Sequence, residues 1–157
     1  MKFSIRTAVE TDAPQLAELL QEIGFFPTIK DLSPDQAAAQ VQEQLAWDFK
    51  DKSHSIYVGI GENGRLLGYT AVHWFPYLFH PGREGYVSEL FVSEEARDKG
   101  LGKALLETIE EEARKKGCYR LSLLNYRVRE SYQRGFYQKL GWEERPDMAD
   151  FVFWLKK

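Results

Sequence analysis

Cysteine is almost missing: Cys118 is the single one in 157 residues. One thiol closes no intrachain disulfide, so a disulfide scaffold is excluded and a reducing compartment is compatible. His54, His73 and His80 lie far from Cys118 along the chain, which argues against a Cys/His metal cluster. No metal is expected. No apolar run approaches the roughly 20 residues that cross a bilayer, and residues 1–6 lack the long apolar core of a secretory leader. A cytoplasmic protein with no membrane partner is the expectation. A basic excess is missing too: the formal net charge is −3, whereas nucleic-acid-binding domains usually carry surplus Lys and Arg. No nucleic-acid partner is expected.

What is present is 43% hydrophobic and 29% charged, enough apolar material for one buried core, and the length suits a single domain over 1–157. Residues 2–8 alternate Phe3, Ile5 and Thr7 with polar partners, the period of a half-buried strand. Thr11-Asp12-Ala13-Pro14 offers an N-cap and an early proline for a helix carrying Leu16, Leu19, Leu20 and Ile23, which Gly24 ends. Ser33-Pro34 opens a second helix with Ala37, Val41 and Leu45 on one stripe. Strands are predicted over 55–60 and 65–75 around the hairpin signal Asn63-Gly64, then over 86–92. The clearest helix spans 100–116, with Leu101, Ala104, Leu105, Ile109 and Ala113 on one stripe. A strand over 119–124, a short helix over 131–140 closed by Gly141, and a final strand over 151–155 complete a mixed α/β or α+β sheet.

Residues 97–103, Arg97-Asp98-Lys99-Gly100-Leu101-Gly102-Lys103, fall between a predicted strand and the longest predicted helix. Glycine lets backbone approach a ligand, and the first amides of a helix have no intrahelical acceptor. Together they make an anion site. Arg97, Lys99 and Lys103 crowd the positive end of the helix dipole, where each cation is unfavourable by about 0.3–1 kcal/mol. Asp98 offsets part of that charge, and a bound polyanion reverses the conflict. The alternative is an ordinary turn with solvated lysines. Spacing excludes two other phosphate loops: Arg97 and Ala104 stand where a Walker loop needs Gly and Ser/Thr, and Leu105 stands where a dinucleotide loop needs its third glycine.

The loop resembles the pyrophosphate-binding motif R/Q-x-x-G-x-G/A of the GNAT superfamily of N-acetyltransferases, matched by Arg97, Gly100 and Gly102. Upstream, Glu89-Leu90-Phe91-Val92 is similar to the family's central strand, which bulges and offers backbone groups to the pantetheine arm. Downstream, Phe136-Tyr137-Gln138-Lys139-Leu140-Gly141-Trp142 is similar to the family's FYEKLGF signature. The resemblance covers nearly the whole chain. It implies a mixed, mostly antiparallel sheet of about six to seven strands flanked by helices on both faces, with acetyl-CoA as cosubstrate. It implies cofactor contacts from Leu90, Phe91 and Val92, from Arg97, Asp98, Lys99, Gly100, Leu101, Gly102 and Lys103, and from Asn125. Glu130 and Gln133 depart from the family's frequent Asn and Ala, so the second contact made there elsewhere is not implied here. Arg127, Arg129 and Arg134 read as a solvated helix face, with phosphate contacts as the alternative.

The implied activity is an acyltransferase reaction, transfer of the acetyl group of acetyl-CoA to a primary amine of a small molecule or peptide by direct attack in a ternary complex. An amine of pKa near 10.4 must lose a proton before it attacks. Glu89 is the candidate base, with an ordinary strand glutamate as the alternative. Tyr137 is the candidate acid for the departing thiolate, with a packing aromatic as the alternative. Phe25, Phe26, Trp74 and Tyr77 lie in two aromatic loops that would flank the acceptor, where rings hold a cation; core or dimer contacts are the alternative. Glu84 would add charge there. Cys118 reads as an inert thiol. Family members are often dimers, so a homodimer stays open beside a monomer. A non-catalytic acyl-CoA-binding sensor or interaction module on the same fold stays open beside the enzyme.

Overall fold

The alternating residues near the N-terminus form β1 (Phe3–Thr7) in the computed structural model, which describes residues 1–50 and 52–156. A single 3-10 turn leads into α1 (Ala13–Ile23), which ends where Gly24 turns left-handed at φ 70°. Asp12 does not cap α1 as its position suggests. Its carboxylate instead takes the Val9 amide at 2.8 Å and both guanidinium nitrogens of Arg6 at 2.7 and 2.8 Å. A four-residue helix, α2 (Pro27–Lys30), interrupts the aromatic loop. The capping box of Ser33 and Gln36 then starts α3 (Pro34–Asp48). β2 (His54–Gly61), β3 (Leu66–Pro76) and β4 (Arg83–Val92) follow, then a 3-10 turn and α4 (Leu101–Lys115), then β5 (Arg120–Leu123).

The sheet order is β1-β2-β3-β4-β5. The first four strands pair antiparallel, and β5 lies parallel to β4 after the α4 crossover. One sheet face packs on α1 and α3 through Leu16, Leu19, Leu45, Ile56, Val58 and Tyr69. The other packs on α4, whose Leu101, Leu105, Leu106 and Ile109 are fully buried. Burial of a leucine or isoleucine of this kind contributes about 1.5–3 kcal/mol. Two glycines bring α4 down onto the sheet: a Cβ at Gly59 would lie 2.5 Å from Leu101 Cδ1, and one at Gly68 would lie 3.2 Å from Leu101 Cδ2.

Two details of β4 matter for function. Ala71 pairs with Glu89 but Val72 pairs with Val87, so Ser88 is an extra residue, a β-bulge. The ladder with β5 stops at the Val87–Leu123 pair, while β4 runs on to Val92. Residues 88–92 therefore have β3 on one edge and no strand on the other among the described residues.

The chain divides into two compact units, Met1–Leu124 and Asn125–Lys157. In the second, the helix expected over 131–140 is two short pieces, α5 (Glu130–Gln133) and α6 (Phe136–Lys139). Gly135, left-handed at φ 66°, breaks it: its amide closes α5 on Tyr132 O at 2.9 Å and its carbonyl opens α6. The strand expected over 151–155 does not form. Its residues are apolar, but a strand needs ladder partners for its amides and carbonyls, and these find none among the described residues; Phe151, Phe153 and Leu155 are exposed. The sheet thus has five strands where six to seven were expected. No helix among the described residues is long and apolar enough to cross a membrane.

Candidate functional site

Gly100 takes φ 88° at the N-cap of α4, a left-handed conformation that favours glycine. No side chain caps the first turn, and it contains no acidic residue. Its amides are therefore the unsatisfied donors every helix start carries, with the positive end of the dipole behind them. Asp98 is also left-handed, at φ 57°, so the backbone reverses twice within three residues. A Cβ at Gly100 would meet nothing within 4 Å, so the space beside this glycine is open. Arg97 is half-buried, Lys99 and Lys103 are exposed, and Lys103 Nζ lies 3.6 Å from Glu107. An open, uncapped, cationic turn matches the chemistry of a diphosphate.

The strand before it is the one that the resemblance expects to meet the pantetheine arm. Leu90 and Val92 pack among the residues beneath α4, while Phe91 faces the other way, into the core with α1. The backbone at 90–92 is left along the open edge of β4. Thr70 Oγ1 donates to the Glu89 carbonyl at 2.9 Å and holds the strand just after its bulge. In the second unit, Asn125 Oδ1 accepts from Ser131 Oγ at 3.3 Å, and its shielded Nδ2 has no hydrogen-bond acceptor among the described residues.

Glu89 is half-buried and accepts a hydrogen bond from the Tyr69 phenol. On the same face, the Phe91 ring meets Tyr69 at 5.8 Å and Phe26 edge-on at 5.3 Å, and Phe26 meets the half-exposed Phe25 at 6.5 Å. The structure therefore brings Phe25, Phe26, Phe91, Tyr69 and Glu89 together. Trp74 is elsewhere. Its indole donates to Ser55 Oγ at 2.9 Å and lies 5.6 Å from Lys116 Nζ, buried on the α4 face. Tyr77 stacks in its own loop with Phe79 at 5.0 Å and meets His80 at 5.6 Å. Glu84 is buried in the β4–β5 joint, where it accepts from Arg120 Nε at 2.7 Å and from Ser122 Oγ.

Tyr137 is half-buried on α6, its ring against Phe136 at 5.0 Å and Trp142 at 6.1 Å. Desolvation pushes its phenol up to about 12, against a smaller opposing pull from Arg129. It stays protonated across the working range. Cys118 is half-buried, and burial pushes its thiol up, which suits an inert side chain. Arg127 pairs with Glu144 at 2.8 Å. Among the described residues no group of three or more His, Cys, Asp or Glu side chains is placed to hold a metal ion.

Sequence reasoning missed Tyr69, Thr70 and Ser88; His73, which the sequence offers as a possible base, has its Nε2 2.9 Å from Ser88 Oγ. Their only signal is register, since β3 and β4 must be aligned before these residues are seen to meet at the bulge.

Comparison with known proteins bears on the fold and the family. An acetyltransferase of Agrobacterium fabrum is 33% identical over 96 residues, which are 60% of this chain and 63% of that protein. The match thus spans less than two thirds of that relative's length. A transcriptional regulator from Bacillus halodurans has the same fold at TM-score 0.78 and 21% identity, covering 97% of this chain and 100% of that one. An integron cassette protein of V. cholerae does so at TM-score 0.81 and 20% identity, covering 98% and 93%. The model of the acetyltransferase (GNAT) family matches residues 15–142, so this chain belongs to that family.

Proposed function

We propose that the protein transfers the acetyl group of acetyl-CoA to a primary amine held on the Phe25–Phe26–Phe91 side of β4. The observation that carries the reading is the start of α4: a left-handed Gly100, an uncapped first turn and three nearby cations, beside a strand edge left open at residues 88–92. The amides of residues 101–103 with Arg97, Lys99 and Lys103 would hold the diphosphate, and the backbone at Leu90, Phe91 and Val92 the pantetheine; a contact from Asn125 is what the family resemblance alone implies. When bound, acetyl-CoA supplies a thioester whose C–S bond breaks as the amine nitrogen forms the new C–N bond.

Glu89 takes the proton that the ammonium must lose before attack, directly or through water, and passes it to solvent; the second proton, lost from nitrogen once the C–N bond has formed, travels through water to the departing thiolate. The rings of Phe25, Phe26 and Phe91 exclude water and offer their faces to the cation; such contacts are worth about 0.5–2 kcal/mol. Backbone N–H groups after the bulge supply oxyanion donors. Tyr137 acts on the departing sulfur. A phenol near 12 gives its proton uphill to a thiolate of pKa about 8.5, so its contribution is a donated hydrogen bond rather than full transfer.

The test is a panel of primary amines (polyamines, amino acids, peptides, aminoglycosides) with acetyl-CoA and a thiol-release readout. Release that depends on one class supports the reading and names the acceptor. Tight CoA binding with no release across the panel identifies a sensor instead.

A further inference from the structure

We propose that Tyr69 is a positioning residue for Glu89, fixing the direction of its carboxylate at the bulge of β4; the inference rests on the reading of Glu89 as the base. β3 grips Glu89 from both sheet faces. The Tyr69 hydroxyl donates to Glu89 Oε2, and Thr70 Oγ1, one residue on, donates to the Glu89 carbonyl at 2.9 Å. A bulge disrupts the ladder locally and bends its strand, so the side chain next to it gains from an anchor. Tyr69 supplies one: it is buried in the cluster of Leu16, Leu19, Ile56 and Val58, with its ring 5.8 Å from that of Phe91.

Packing alone does not explain a tyrosine here. Phenylalanine fills the same space, and burying a hydroxyl is unfavourable unless it is bonded. The hydroxyl is bonded to the one side chain on this strand with acid–base chemistry to perform. Burial first, and then the Glu89 charge, push the Tyr69 phenol well above its ordinary value, so it remains a donor throughout the working range. Donation to the charged carboxylate favours the ionised form that accepts a proton.

The titratable groups on this sheet face include Arg6 on β1, paired with Asp12 at 2.7 Å, His54 on β2, Tyr69 and His73 on β3, Tyr86 on β4, and Glu84 on β4, paired with Arg120 of β5 at 2.7 Å. Tyr69 donates directly to the Glu89 carboxylate.

Tyr69→Phe tests this in the full chain. The Glu89 carboxyl is followed by carbon-13 NMR in glutamate-labelled protein, its resonance assigned by its loss in Glu89→Gln. Removing the donor should raise the Glu89 midpoint by about one pH unit and move the acid limb of kcat/KM upward by the same amount. Acetyl-CoA affinity, read by thermal shift, should stay unchanged and reports that the variant folds. Coincident midpoints in wild type and Tyr69→Phe overturn the inference, even if Glu89→Gln abolishes turnover. Wild-type turnover in Glu89→Gln overturns the base reading instead, and this inference with it.

Discussion

Gly59 lies directly beneath Leu101: a Cβ on the β2 residue would sit 2.5 Å from Cδ1, 3.1 Å from Cδ2 and 3.3 Å from Cγ of the first residue of α4. Leu101 is fully buried and has nowhere to retreat. The contact therefore fixes the height of the α4 N-terminus above the sheet. Gly59→Ala should cost about 1–3 kcal/mol of stability through overpacking and lift the amides of residues 101–103. The expected result is a lower Tm together with weaker acetyl-CoA binding, by roughly tenfold, measured by calorimetric titration. A lower Tm with unchanged affinity would separate packing from the anion site.

The cations around Gly100 predict a salt-dependent affinity. Lys99 and Lys103 are exposed, and their attraction to a diphosphate is screened as the Debye length falls from about 8 Å at physiological salt to about 3 Å at 1 M. Replacing both with alanine should weaken acetyl-CoA binding roughly three- to thirty-fold at low salt and flatten its salt dependence. The check is affinity as a function of added salt in wild type and variant.

Asp12 sets an acid-stability slope. Its carboxyl is held below the ordinary aspartate range, chiefly by the Arg6 hydrogen bonds and also by the Val9 amide, with burial opposing. A depressed folded-state pKa adds stability above the unfolded value, and that stability is lost as pH falls through the folded one. Wild type should lose stability as pH drops below the usual aspartate range, and Asp12→Ala should lose this part of the slope. The substitution should cost about 1–3 kcal/mol at neutral pH, read from denaturant melts across the acid range.

Tyr137→Phe should lower kcat about tenfold and leave acetyl-CoA affinity nearly unchanged. Because burial pushes the phenol up to about 12, Tyr137 adds no basic limb to the rate profile between pH 7 and 10. A limb in that window that disappears in Tyr137→Phe would place its titration within the working range and restore full proton transfer.

Much of this was legible before the fold. The apolar stripe of α4, the glycine at its start and the cations around it are local features, and a stretch that is locally consistent folds as it reads. The Ser33 capping box and the Gly24 stop are local too. Non-local features were not legible. The Ser88 bulge depends on how β3 and β4 align, and with it the meeting of Tyr69 with Glu89. The burial of Trp74 against α4 depends on which sheet face even-numbered β3 residues take. Residues 151–155 have a strand's composition but no ladder partner among the described residues, and composition cannot supply one. The break at Gly135 was readable, because a glycine inside a short helical pattern is a breaker signal, but the surrounding signature drew the helix through it.

The central claim is that the first turn of α4 binds the diphosphate of acetyl-CoA, and backbone amide NMR tests it most directly. Titrating acetyl-CoA into nitrogen-15-labelled protein should shift the amides of Leu101, Gly102 and Lys103 first and furthest, saturating with one equivalent. Saturable binding that leaves those three amides unmoved would contradict the account.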